Sequence, residues 1–182
     1  MMISMPQDAK PLIIPVSLER SIHEMINAQR RTYALPELGL DPALSGVARY
    51  HSSDMTFRGY FSHGTPEGRM PVDRARIAGY PVRKTVGSAI YEGIGENIAK
   101  IPLHESCREV TSFIEYPGGI RQVTGRRREY SWYTQQELAA KTVGGWMNSP
   151  GHRENILRRH YQREGIGVTF AGDFAHITQN FF

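Results

Sequence analysis

Four side chains able to do chemistry stand where this chain turns or changes element: His63, Glu96, His152 and His176. A neutral imidazole can trade a proton near neutral pH or bind a divalent metal, and a carboxylate can do either beside it. Brought together, two imidazoles and a carboxylate would suit acid–base work or an open Zn2+ site, at roughly 2.0–2.1 Å per nitrogen. Taken singly, each has a structural explanation. His63 can satisfy a turn, Glu96 can brace a bend before Asn97, and His176 can belong to the polar face of an edge strand. No HExxH or CxxC pattern occurs, which disfavours a closed structural zinc site. GxSxG, Walker and dinucleotide motifs are also missing, since Gly93-Ile94-Gly95 lacks a third glycine opening a helix. Cys107 is the only cysteine, so no intrachain disulfide can form. It lies beside Arg108 in a weakly patterned stretch and reads as incidental rather than nucleophilic.

The elements that must position these groups centre on residues 145–157, Gly-Trp-Met-Asn-Ser-Pro-Gly-His-Arg-Glu-Asn-Ile-Leu. Ser149 is a good N-cap, and Pro150 at the first helical position lacks the N–H that a first turn leaves unpaired. A helix should therefore end near Asn148 and a new one run from Pro150 to about Leu157. His152 then falls in a first turn, where exposed N–H groups disfavour an imidazolium. Trp146 is the expected packing anchor, with one hydrogen-bond partner for its indole. Ser149 as a nucleophile with His152 as its base is a weaker reading, because neighbours at a helix start seldom face each other.

The same logic runs through the rest of the chain. Ser17 can cap a helix from Leu18 to about Ala34, and Asp41-Pro42 can start another that ends near Arg58. Gly59–Gly64 reads as a loop, and Pro71 opens a short helix closed by Gly79. Residues 81–98 suggest one ragged strand near Ser88–Tyr91, leading into a loop Glu92–Asn97. Residues 102–133 have the weakest pattern and read as an irregular insertion, turned at Pro117-Gly118-Gly119, in which 110–114 could pair with 130–133. Thr134 and Glu137 form a capping box for a helix from Gln135. Ile166, Val168 and Phe170 alternate, Gly172-Asp173 turns, and 174–182 returns as the partner strand. In that strand His176, Thr178 and Asn180 share one face.

At 182 residues, with 40% hydrophobic and 22% charged, the chain has room for one core. The expected organisation is an irregular lead-in at 1–17 followed by a single domain at 18–182. Helices first, then strand, helix and hairpin, point to an α+β sandwich. Residues 1–16 show neither a cationic start with a long apolar run nor a membrane span, so no signal peptide is expected within this chain. A net charge of +4 favours anionic surfaces without implying nucleic acid. Arg121, Arg126, Arg127 and Arg128 beside Tyr130, Trp132 and Tyr133 mix charge and aromatics as single-strand binders do, yet a solvated hairpin is the commoner origin of such a run.

Four segments then occur in a familiar order. They are His51…Met55 ending in Tyr60-Phe61-Ser62-His63, then Gly95-Glu96-Asn97-Ile98, then residues 145–157, then His176-Ile177-Thr178-Gln179-Asn180-Phe181. Together they resemble the CAP superfamily (cysteine-rich secretory proteins, antigen 5, pathogenesis-related class 1), also called the SCP domain, in its disulfide-free prokaryotic branch. The resemblance implies a three-layer α-β-α sandwich with a central, largely antiparallel sheet and a cleft. In eukaryotic members that cleft holds two histidines and two acidic residues. Matched motif by motif, these fall on His63, Glu96 and His176, while the fourth, acidic, position is Ser149. His152 just beyond is typical of prokaryotic members, whereas His176 replaces the aromatic residue more common there. The resemblance implies an extracellular or cell-surface binding domain for a small molecule, lipid, glycan or peptide, with no required cofactor. A divalent cation such as Zn2+ would be held by His63 and His176. The alternative is a hydrolase of peptidase type using His63, Glu96 and His176. The third reading is the arginine-rich nucleic-acid binder.

Overall fold

The computed structural model describes residues 9–182. The first eight residues of the expected lead-in lie outside the described residues. Helix α1 (Pro15–Thr32) begins three residues earlier than Ser17 predicts. Pro15 takes the first helical position after an extended Ile14, and no side chain caps this end. Helix α2 (Pro42–Arg58) starts as expected, with Asp41 Oδ1 accepting from the N–H groups of Ala43 (2.9 Å) and Leu44 (3.2 Å). It ends at Gly59, whose φ of 69° is the left-handed conformation that glycine adopts without strain. Helices α3 (Pro71–Ile77), α4 (Gln135–Met147) and α5 (Pro150–Leu157) complete the helical set among the described residues.

The main sheet has the order β1-β7-β8-β4, where β1 is Gly39–Leu40, β4 Gly95–Pro102, β7 Arg163–Ala171 and β8 Phe174–Phe181. Only β1 and β7 are parallel; the other pairs are antiparallel. One face carries the main core, in which Leu18, Ile22 and Ile26 of α1 and Leu138, Val143 and Trp146 of α4 meet the sheet. The opposite face is covered by α2, with Leu44 joining Ala75, Tyr80 and Phe182 in a smaller cluster. Helices therefore cover both sides of the sheet, which makes an α-β-α sandwich.

Four sequence expectations need correction. The ragged strand near 88–91 is a small hairpin, β2 (Arg83–Val86) with β3 (Ala89–Glu92), turned at Gly87. The loop expected at 92–97 gives way to β4, so Glu96 and Asn97 are strand residues pointing to opposite faces. Residues 102–133 are regular: β5 (His104–Tyr116) and β6 (Ile120–Trp132) form a long two-stranded hairpin with Val110 opposite Arg127. Both of its faces are largely exposed, so no apolar alternation marks it. The turn at Pro117–Gly119 falls where expected, but the register differs from the 110–114 with 130–133 pairing. β8 is also an interior strand rather than an edge, flanked by β7 and β4.

Candidate functional site

Glu96 projects from β4 toward α2, and its carboxylate is almost fully enclosed, with 2% of the side chain exposed. His63 Nδ1 donates to Oε1 at 2.9 Å, and the Arg74 guanidinium pairs with Oε2. Arg74 is itself buried and donates to the carbonyls of His63 (2.7 Å) and Arg69 (3.1 Å). It thus clamps the loop that delivers His63. His51 on α2 closes the far side, its Nε2 donating to Ser62 O at 3.0 Å and lying 3.9 Å from Oε1. Both carboxylate oxygens are engaged, one by a neighbouring imidazole and one by a buried cation. That arrangement stabilises the buried charge and leaves little of it for a ligand.

The other half of the Gly-Glu-Asn-Ile motif serves the opposite face. Asn97 Nδ2 donates to His152 O (3.2 Å) and Gln179 Oε1 (3.0 Å). Asn155 Nδ2 donates to Glu96 O (3.1 Å) and Asn97 Oδ1 (3.0 Å). Gln179 Nε2 continues to Glu164 Oε2 at 2.5 Å, and His23 Nδ1 donates to Glu164 Oε1 at 2.5 Å. One buried polar chain therefore links α5, β4, β8, β7 and α1. Much of the motif chemistry in this chain is structural, since each of these groups would be costly to bury unpaired.

The expected site residues do not all converge. His63 is 44% exposed at its side chain. His152, half-buried in the first turn of α5, is close enough to His63 for their charges to interact. Ser149 stands at the N-cap position with extended backbone, but its side chain makes no capping bond, contrary to expectation. Pro150 at the next position removes one of the N–H groups a cap would serve. Trp146 behaves as an anchor, buried and donating Nε1 to Ile98 O at 3.2 Å. His176 shares the sheet face of Glu96 but pairs with Lys100, four residues along, about 13 Å at ~3.3 Å per residue. There it lines a separate cavity of about 290 Å³ with Tyr60, Phe61, Lys100 and Phe174. His176 thus stands apart from Glu96, and no group of three His, Cys, Asp or Glu side chains among the described residues could hold a metal ion. At Glu96 itself, Arg74 already supplies the positive charge that a cation would bring.

Sequence reading missed Arg74, His51 and Arg30. Arg30 is wholly buried and donates to the carbonyls of Pro36 (2.7 Å) and Ile156 (2.7 Å), holding the end of α5 against α1. Nothing in local pattern separates these residues from the surface arginines and helical histidines around them. The arginines at 121–128 lie on the exposed hairpin, and Tyr130 and Trp132 stack on each other at 4.6 Å rather than presenting free rings.

Burial pushes the His51, His152 and His176 imidazoles below the ordinary value near 6.5; for His51 this outweighs the attraction of Glu96. The unfolded chain then takes up these protons first, so stability should be complete above about pH 6.5 and decline as pH falls below it. Urea midpoints at pH 7.5 and 5.5 check this, and an unchanged midpoint would contradict it. In the same comparison His51→Gln, which keeps a donor toward Ser62 O, should show a shallower decline than the parent.

The profile of the cysteine-rich secretory protein family, CAP, matches residues 23–181. The chain belongs to this family. The CAP chain is 29% identical over 154 residues to the protein YkwD of Bacillus subtilis, covering 85% of this chain and 43% of that one. An extracellular SCP-domain protein of Bacillus anthracis superposes with a TM-score of 0.60 at 26% identity, covering 96% of this chain and 45% of that chain. The chain thus spans less than half the length of these relatives. The structure of NaASP2 with Zn2+ shares the fold alone, with a TM-score of 0.54 at 11% identity, over 95% of this chain and 83% of its own. A single exposed cysteine agrees with the disulfide-free branch. No helix among the described residues is long and apolar enough to cross a membrane.

Proposed function

We propose that this CAP domain is a non-catalytic binding module acting outside the cell, whose cleft recognises a hydroxyl- or amide-bearing ligand of glycan or peptide type. The observation that carries the reading is the double engagement of Glu96 by His63 and Arg74. A carboxylate clamped in this way is a poor general base, and the chain offers no second carboxylate at Ser149. What faces the ligand is the rim: the free Nε2 edge of His63, the His152 ring and the unbonded Ser149 hydroxyl. With its Nδ1 donating to Glu96, His63 turns its Nε2 toward the ligand as its hydrogen-bonding edge. Such a rim reads neutral polar groups by hydrogen bonds rather than by charge. The extracellular setting follows the relative from Bacillus anthracis, which is described as an extracellular protein.

The test is an amide and imidazole chemical-shift survey with soluble glycan fragments and short peptides, run beside product analysis. Binding should move His63, His152 and Ser149 together, weaken by about tenfold in His152→Ala, the loss of roughly one hydrogen bond, and yield no product. Product formation abolished by Glu96→Gln would establish the hydrolase reading instead.

A further inference from the structure

The β5–β6 hairpin is the least explained part of the molecule. Each strand has 13 residues, so at ~3.3 Å per residue the arm projects about 40 Å. Its base is tied down, with Tyr133 N–H donating to Leu103 O at 2.9 Å, but its outer half packs on nothing. There Phe113, Ile114, Tyr116, Ile120 and Val123 are all exposed, Ile120 by 66%. The register puts Phe113 and Val123 on one face and Ile114, Tyr116 and Ile120 on the other. Each face of the tip therefore carries apolar side chains, the Phe113 face also holding the Glu115–Arg121 pair nearer the turn. A docking protein would cover one face of such a ribbon and leave the other wet. A lipid interface surrounds both.

Charge points the same way. Arg121 lies at the tip, stacked 4.6 Å from the Phe113 ring and 3.7 Å from Glu115. Arg126 and Arg128 follow on the shaft, opposite Thr111 and Glu109 respectively. Apolar residues at an end, an interfacial tyrosine and a collar of guanidinium groups behind them match the layering of an anionic leaflet. Immersion must stay shallow, since the outer edges of both strands carry unpaired backbone groups that the hydrocarbon core would not satisfy. About 10 Å of depth accommodates Ile114, Tyr116 and Ile120, with Arg121 neutralising Glu115 beside them, while Arg126 and Arg128 remain among headgroups.

We propose that the tip of this hairpin is a membrane-docking device that inserts into anionic lipid bilayers and holds the sandwich at their surface. The intact protein is mixed with vesicles of phosphatidylcholine and phosphatidylglycerol, or of phosphatidylcholine alone, and the bound fraction is read by flotation. Binding should require the anionic lipid and weaken in 1 M salt, where the Debye length shrinks to about 3 Å. Ile120→Asp and Phe113→Asp should each lower partitioning by about tenfold or more, whereas Leu12→Asp, at another exposed apolar position, should leave it unchanged. In Ile120→Trp the added emission should shift to the blue with anionic vesicles, placing the tip in lipid. Absence of binding to anionic vesicles at low salt, or equal binding by the Asp variants, overturns the proposal. So does sedimentation velocity showing self-association that Ile120→Asp abolishes, which would assign the tip to a second copy.

Discussion

Arg74→Met should lower the thermal midpoint by roughly 6–20 °C, the largest loss expected from a single polar side chain in this domain. Methionine keeps the apolar stem but removes the cation that pairs with Glu96 and the donors that hold His63 O and Arg69 O. Glu96 would then remain buried with only His63 hydrogen-bonded to it and His51 3.9 Å away. Breaking a buried ion pair from one side costs about 3–5 kcal/mol, a large share of the ~5–15 kcal/mol that holds a domain together. Adding Glu96→Gln to Arg74→Met removes the orphaned charge, so the double variant should lose less than the sum of the two single losses. Thermal unfolding of all four proteins checks this. Additive losses would mean that the two groups do not stabilise each other, contradicting the clamp.

Gly167→Ala is the second large effect, expected to cost about 3 kcal/mol or more. A Cβ at this position would lie 2.1 Å from the backbone nitrogen of Arg49 and 2.3 Å from the Ala48 carbonyl carbon. These are backbone atoms of α2, so no rotamer change relieves the overlap. The helix would have to lift from the sheet, disturbing the bond that Ser52 Oγ donates to Gly167 O (2.9 Å) and the one it accepts from Thr178 Oγ1 (2.8 Å). Overpacking a well-filled contact commonly costs about 1–3 kcal/mol, and a helix pressed on bare strand backbone belongs at the top of that range. Because α2 also carries His51, the change should reach Glu96. Gly46→Ala, on the outer side of the same helix with nothing within 4 Å, should instead stabilise the fold by up to about 1 kcal/mol. Urea unfolding of the two variants reads the contrast; similar losses from both would contradict this packing account.

Local chemistry was legible in the sequence, and long-range polar partnership was not. Asp41 before Pro42, and Thr134 with Glu137, announce helix starts because the cap and the N–H groups it serves lie within three residues. The four motifs pointed to the right family and sandwich because their order spans the chain. Glu96 was placed in a loop because the glycines preceding it look like a turn, whereas β8 recruits the segment into the sheet. The hairpin was hidden for the opposite reason: with both faces in solvent, no burial period marks its strands. Arg74 could not be singled out, since a buried arginine on a short helix has the same local pattern as an exposed one. Its partner stands 22 positions away on another element. The separation of Glu96 from His176 likewise depends on strand register, which motif order does not contain.

The central claim is that Arg74 occupies, at Glu96, the place a bound cation would take. Isothermal calorimetry of Zn2+ titrated into metal-free protein tests it most directly. The account predicts no saturable one-site binding at micromolar protein concentration. A one-to-one isotherm that disappears in both His63→Ala and His176→Ala would contradict it, by showing that those histidines converge on a metal.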